Sequence, residues 1–225
     1  VECLAHDGNK LYTVNGFGDK NIRVWNTETY EEIASLEGHT KRAYCLSIHQ
    51  NKLYSGSKDK TIRIWNTDTY ETIAILRGHT GIVSSLTHRN NKLYSGSWDK
   101  TIRIWNTDTF EEIATLRGHT DVVLCLTLHQ HQNKLYSGSD DIRIWNTDTF
   151  EEIATLNVYI SGVRYLIHRD NKLYCGDGYM DIVWNTETNL RLNSLTGKKI
   201  QQNIIHHDNK LYHGSHDNTI HVLKI

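Results

Sequence analysis

The side chains with chemical potential in this 225-residue sequence come in repeated sets. His39, Ser57 and Asp59 supply a base, a hydroxyl and an acid, and His79, Ser97 and Asp99 supply them again. His119, Ser139 and Asp141 do so a third time. Each set has the composition of a hydrolase triad, in which a histidine takes the proton of an attacking serine and a carboxylate orients the ring. A catalytic set is needed once, whereas these return at a fixed spacing of 40, from His39 to His79 to His119. Recurrence favours a structural hydrogen-bonded network that each repeat builds for itself.

Other reactive groups are few or scattered. Cys3, Cys45, Cys125 and Cys175 lack metal-ligand spacing and are spread too widely for a small disulfide scaffold, so a reduced, intracellular protein is expected, cytoplasmic or nuclear. Among the 14 histidines, His6, His49, His129, His131, His168, His206 and His207 fall near equivalent turns. They read as polar turn residues rather than a pH-sensing or metal-binding ring. "NGFGDK" (Asn15–Lys20) opens no helix, so it is no phosphate cradle. No catalytic residue, metal site or cofactor is expected. The net charge of −1 gives no field toward nucleic acid or anionic lipid. No apolar run reaches membrane-spanning length, and no signal-peptide pattern opens the chain.

The elements that would position these residues follow from a repeat. "NKLY" stands at Asn9–Tyr12, Asn51–Tyr54, Asn91–Tyr94, Asn133–Tyr136, Asn171–Tyr174 and Asn209–Tyr212. Each copy divides into short segments rich in β-branched and aromatic residues. In the third these are Ile82–His88, Lys92–Ser97, Thr101–Asn106 and Phe110–Leu116. Alternation such as Ile102, Arg103, Ile104 suits a pleated strand with one buried side. With no proline in the chain, turns rest on Gly, Asn and Asp. One such sheet cannot bury its own faces, and stacking sheets around an axis covers each with the next. Four strands in about 40–45 residues is the unit of a β-propeller.

At "GHT…SGSWDKTIRIWN" the sequence resembles the WD-repeat family. Gly-His stands at Gly38–His39, Gly78–His79 and Gly118–His119. The closing Trp-Asp appears as Trp-Asn at Trp25–Asn26, Trp65–Asn66, Trp105–Asn106, Trp145–Asn146 and Trp184–Asn185. "NKLYSGS" looks particularly like propellers that follow F-box or RING–TRAF modules. The resemblance implies an all-β, single WD-repeat β-propeller over residues 1–225, with blades near 1–37, 38–77, 78–117, 118–157, 158–196 and 197–225. Six four-stranded antiparallel blades are expected, the last lacking its outer strand and exposing an edge open to pairing. The opening inside a strand at Val1 suggests the C-terminal part of a longer chain, with a seventh blade conceivable.

The resemblance also assigns a network of His, Ser, Asp and Trp to each blade. It comprises His39, Ser57, Asp59 and Trp65, then His79, Ser97, Asp99 and Trp105, then His119, Ser139 and Trp145. In the fourth blade the shorter turn "SDDI" leaves Asp140 or Asp141 as the acid, and Asp141 is carried into the set. The fifth blade has Val158–Tyr159 in place of Gly-His and Asp177 in the serine slot, so blades five, six and one should be looser than two to four. The family's partner-binding top face maps to Arg42, Tyr44, Lys58, Ile82, Ser84, Trp98, Val122, Leu124, Arg164, Gln202 and His216. Trp98 departs from Lys58 of the sister turn, so the fold does not require it, and an exposed aromatic beside aliphatic residues is what binding hot spots favour. The expected function is a non-catalytic protein–protein interaction scaffold that binds a peptide or protein segment, with no nucleic acid and no membrane. Alternatives are the substrate receptor of a ubiquitin ligase, a sensor or autoinhibitory propeller, and last a small-molecule or sugar binder.

Overall fold

The computed structural model describes residues 3–14, 19–129, 131–158, 160–177 and 180–195, and the backbone of three further strands within 204–224. No helix occurs among the described residues. The chain forms two compact units, Val1–Leu126 and Thr127–Ile225.

The first unit holds three antiparallel sheets, each in simple sequence order. The first comprises β1 (Cys3–Asp7), β2 (Lys10–Val14), β3 (Ile22–Asn26) and β4 (Glu32–Leu36). The second comprises β5 (Ala43–His49), β6 (Lys52–Ser57), β7 (Ile62–Asn66) and β8 (Thr72–Leu76). The third comprises β9 (Val83–Arg89), β10 (Lys92–Ser97), β11 (Ile102–Asn106) and β12 (Glu112–Leu116). The unit boundary falls inside β13 (Cys125–Leu128), which heads a sheet with β14 (Lys134–Gly138), β15 (Ile142–Asn146) and β16 (Glu152–Leu156). In the second unit follow β17 (Tyr165–Arg169), β18 (Lys172–Gly176), β19 (Asp181–Asn185) and β20 (Arg191–Leu195). The final sheet is β21 (Ile204–His207), β22 (Lys210–Gly214) and β23 (Ile220–Lys224). Among the described residues five sheets have four strands and the last has three.

The core of the first unit lies between consecutive sheets, as the need to cover each face requires. Tyr12, Val14, Ile22, Val24 and Leu36 of the first sheet pack on Ala43, Leu46, Leu53 and Trp65 of the second. Tyr54, Ile62, Ile64 and Leu76 of the second then pack on Val83, Leu93 and Trp105 of the third. Each fully buried Ile or Leu contributes about 1.5–3 kcal/mol. Gly56 marks the closest approach, since a Cβ there would stand 2.6 Å from both Cys45 Sγ and Val83 Cγ1. The glycine of "SGS" is therefore a packing requirement of stacked sheets.

The turn after each third strand explains why Asn stands where the family writes Asp. Asn66 Oδ1 accepts from the Asp68 and Thr69 amides at 2.7 and 3.0 Å, and the Tyr70 amide returns to Asn66 O at 2.9 Å. A neutral amide oxygen serves as well as a carboxylate for this local cap. The same closure places Tyr30, Tyr70, Phe110 and Phe150 at φ of 61 to 63°, left-handed backbone seldom occupied by aromatics. The expected fourth strand Phe110–Leu116 accordingly begins only at Glu112.

Candidate functional site

Two constructions recur on this framework: a buried polar relay, complete in the second and third sheets, and an exposed turn at the sheet end. In the second sheet the relay starts at Trp65, whose indole N–H donates to Ser55 Oγ at 2.9 Å. Ser55 Oγ lies 2.7 Å from His39 Nε2, and His39 Nδ1 lies 2.7 Å from Asp59 Oδ2. With Nδ1–H donating to the carboxylate, the serine hydroxyl donates to Nε2. Asp59 also accepts from the Thr40 amide at 3.0 Å and from the Thr61 hydroxyl and amide at 2.6 and 3.0 Å. The third sheet repeats this with Trp105, Ser95, His79 and Asp99, at 2.9, 2.8 and 2.7 Å.

The serine of the relay is therefore Ser55 and not Ser57, Ser95 and not Ser97, and in the fourth sheet Ser137 and not Ser139. Trp145 donates to Ser137 Oγ at 2.8 Å. The reason lies in register: Trp65 faces Leu53 across the β6–β7 pair and Ser55 faces Arg63, so Ser55 is the diagonal neighbour of the indole. Ser57 is on the same side of the strand but two residues further on, roughly 6–7 Å away. It serves the turn instead, lying 2.9 Å from the Lys41 and Arg42 carbonyls and accepting the Asp59 amide at 3.0 Å. Ser139 Oγ is buried without a partner among the described residues. His119 is buried, and Asp141 accepts from Arg143 Nε at 3.0 Å.

The relay departs from this pattern at both ends. In the first sheet Thr13 Oγ1 takes the serine's place and accepts from Trp25 at 2.9 Å. In the fifth sheet Cys175 occupies that slot, its thiol 3.5 Å from Ile182 O, and the buried Trp184 Nε1 has no partner among the described residues. Asp177, in the slot of Ser57, accepts the Met180 amide at 2.9 Å and so caps its turn as Ser57 does.

The relay has triad-like distances but the wrong surroundings for attack. Ser55 and Ser95 are fully buried, and each hydroxyl already accepts from an indole. Burial pushes the Asp59 carboxyl up, but the bonds from His39 and Thr61 outweigh it and hold it well below the usual carboxylate range. Asp99 behaves alike with His79 and Thr101.

At the end of the sheets, the turn after β10 presents Trp98 with 43% of its surface exposed. Its amide donates to Ile82 O at 2.9 Å, and Lys58, exposed, makes the equivalent bond to Arg42 O at 2.9 Å. The Trp98 ring lies 6.4 Å from that of Tyr44, and the Arg42 guanidinium lies 4.8 Å from the Tyr44 ring. Arg42, Tyr44 and Trp98 thus form one continuous cluster across two sheets, which the sequence had given as separate positions. Gly81 permits the turn's approach, since a Cβ there would lie 2.4 Å from the Asp99 nitrogen. Ser84 is turned inward, its hydroxyl on the Gly96 and Val123 carbonyls. Ile82, Val122 and Leu124 are half-buried, and Arg164 is exposed in the second unit. Gln202 and His216 lie outside the described residues.

Two further features escaped the sequence. Lys10 Nζ donates to Thr67 O at 2.7 Å and lies 5.2 Å from the Tyr70 ring, and Lys52 does the same with Thr107 O and Phe110 at 3.2 and 5.6 Å. The "NKLY" lysine thus clamps the turn of the next sheet. The recurrence of Lys and of the turn aromatic at a common spacing is the signal that could have found it. Histidines at or near the ends of the first strands also pair: His49 of β5 with His88 of β9 at 4.3 Å between ring centroids, and His129 with His168 of β17 at 3.9 Å, the last two buried and so not the polar turn residues expected. Burial, then the His129 charge, brings His168 down to about 4.

Stacked four-stranded sheets, two of them stitched by a complete Trp–Ser–His–Asp relay and ending in exposed turns, define a repeat protein of WD type. The sequence profile described as WD domain, G-beta repeat matches residues 30–66, 70–106 and 110–146. The chain belongs to the WD-repeat family. Each matched segment begins at the outer strand of one sheet and runs through three strands of the next, so the unit of sequence interlocks two sheets. Among solved structures, the computationally designed Ika8 protein is similar, with 25% identity and a TM-score of 0.84 over 99% of this chain and 70% of that one. None of the curated proteins compared with the chain matches it. WD repeats generally mediate protein–protein interaction. No helix among the described residues is long and apolar enough to cross a membrane.

Proposed function

We propose that this chain is a non-catalytic scaffold whose six sheets form one propeller and whose exposed turns hold a peptide or protein segment. The observation that carries the reading is the Arg42–Tyr44–Trp98 cluster. The Trp98 turn has the same backbone bonds as its Lys58 sister, so an exposed indole there is surplus to the fold. A half-exposed Trp supported by Tyr and Arg is the composition of a hot spot, where truncation costs about 2 kcal/mol or more. The guanidinium beside the rings suits a segment carrying both an apolar and an acidic or phosphorylated side chain.

The experiment is site-specific photo-crosslinking in cell extract. Benzoylphenylalanine at position 58, beside the cluster, should give discrete protein adducts. The same probe at Asp108, exposed on a turn at the other end of a sheet, should not. Equal adducts from both positions, or adducts only from 108, refute this surface. Turnover of a substrate by the purified chain refutes the non-catalytic reading.

A further inference from the structure

The first four sheets each carry an arginine in the third strand that faces the penultimate residue of the outermost strand, and in three of them its guanidinium reaches the glutamate that begins that strand. Arg23 Nη1 pairs with Glu32 at 3.0 Å, Arg103 with Glu112, and Arg143 with Glu152. In the second sheet the arginine remains, as Arg63, but Thr72 stands in the place of the glutamate. Arg63 lies with its guanidinium 5.7 Å from the Trp65 ring and against Gly38. No carboxylate among the described residues pairs with it; its Nε is buried without a hydrogen-bond partner, as is that of Arg103, so the difference between the two lies at the terminal nitrogens that Glu112 occupies at Arg103. A cation held against Gly38 as Arg103 is held against Gly78, with the glutamate of the sister sheet absent, is a preformed carboxylate receptor.

The neighbouring strand is permissive in the same place. β8 is the end strand of its sheet, so its outer row of N–H and C=O groups faces no strand among the described residues. Edge strands ordinarily carry charge to discourage pairing. β4, β12 and β16 each contain a glutamate, and β20 contains an arginine, whereas β8 reads Thr72-Ile-Ala-Ile-Leu76 with no charge. Ile73 is 41% exposed on it.

We propose that the β8 edge is a second docking surface, distinct from the Trp98 cluster, that takes an extended acidic peptide segment by strand addition. The backbone of the segment pairs with β8, and one of its Glu or Asp carboxylates fills the place at Arg63 that Glu112 fills at Arg103. Main-chain bonds supply affinity, and the single acid sets the register.

The test is selection from a displayed library of random nine-residue peptides on the full chain, followed by anisotropy titration of the enriched peptides. The expected result is enrichment of Glu or Asp at one fixed position among β-branched residues. Thr72→Glu, which restores the internal partner seen in the sister sheets, should weaken these peptides about tenfold or more. Trp98→Ala should leave them unaffected, which separates failure here from failure of the turn cluster. Glu112→Thr should open an equivalent receptor at Arg103 and raise the stoichiometry. Peptides without a fixed acid, or peptides indifferent to Thr72→Glu, overturn the proposal. So does sedimentation showing that β8 instead pairs with β8 of a second copy.

Discussion

Replacing Ser55 with alanine removes one oxygen and disconnects three side chains. Its hydroxyl accepts from Trp65 at 2.9 Å and lies 2.7 Å from His39 Nε2, and all three residues are at most 1% exposed. Two buried polar atoms then lose their partner, at roughly 1–3 kcal/mol each, so a total of about 2–6 kcal/mol is expected. Ser57→Ala removes a hydroxyl that serves only backbone groups at the turn. Its expected cost is about 1–2 kcal/mol. Native-state hydrogen exchange of the β5–β7 amides reads the difference locally, without assuming that the whole chain unfolds in one step. At about 1.4 kcal/mol per tenfold, Ser55→Ala should accelerate the slowest of these amides roughly 30-fold or more. The reasoning is refuted if Ser57→Ala is the more damaging of the two, or if the Trp65 indole resonance is unmoved by Ser55→Ala.

Cys175→Ser in the fifth sheet should act in the opposite direction, since it gives Trp184 the acceptor that Ser55 gives Trp65; a gain of about 1 kcal/mol in unfolding free energy, read as a higher urea midpoint, and a protected Trp184 indole proton are expected. Acid should weaken the chain in two windows. His168, held neutral at about 4 by burial and by His129 against an unfolded value near 6.5, contributes stability that is present above about pH 6.5 and lost as pH falls toward 4. His131, Lys134 and Asp170 also act on it, and solvent screening leaves an expected loss on the order of 2 kcal/mol, read as a falling melting temperature. Asp59 and Asp99, held low, contribute stability that persists above about pH 4 and is lost only below it, as their native-state carboxylates protonate.

The repeat made much of the fold legible. "NKLY" fixed the second strand of every sheet, and β10 runs over the expected Lys92–Ser97. Trp, His and Asp of the relay in the second and third sheets were also readable, because each stands at a fixed place in the Gly-His, Asp-Lys and Trp-Asn motifs. The serine was not, because Ser55 and Ser57 share one face of the strand and only cross-strand register separates them. The lysine clamp was missed because it joins residues of different repeats, such as Lys10 and Thr67. The Arg63 vacancy was written plainly as Thr72 against Glu32, Glu112 and Glu152. It carried no meaning until the sister arginines were seen to need those acids. The expectation that Ser84 faces outward failed to foresee its hydroxyl bonds to Gly96 and Val123, which depend on the packing of the next strand.

The measurement that bears most directly on the proposed role is quantitative affinity capture with the wild-type chain and Trp98→Ala, at matched melting temperature. The indole is surplus to folding, so the substitution should leave the unfolding free energy within about 0.5 kcal/mol of wild type. Its dominant captured proteins should fall roughly tenfold or more. Retention of the same proteins at the same level by Trp98→Ala would contradict the account.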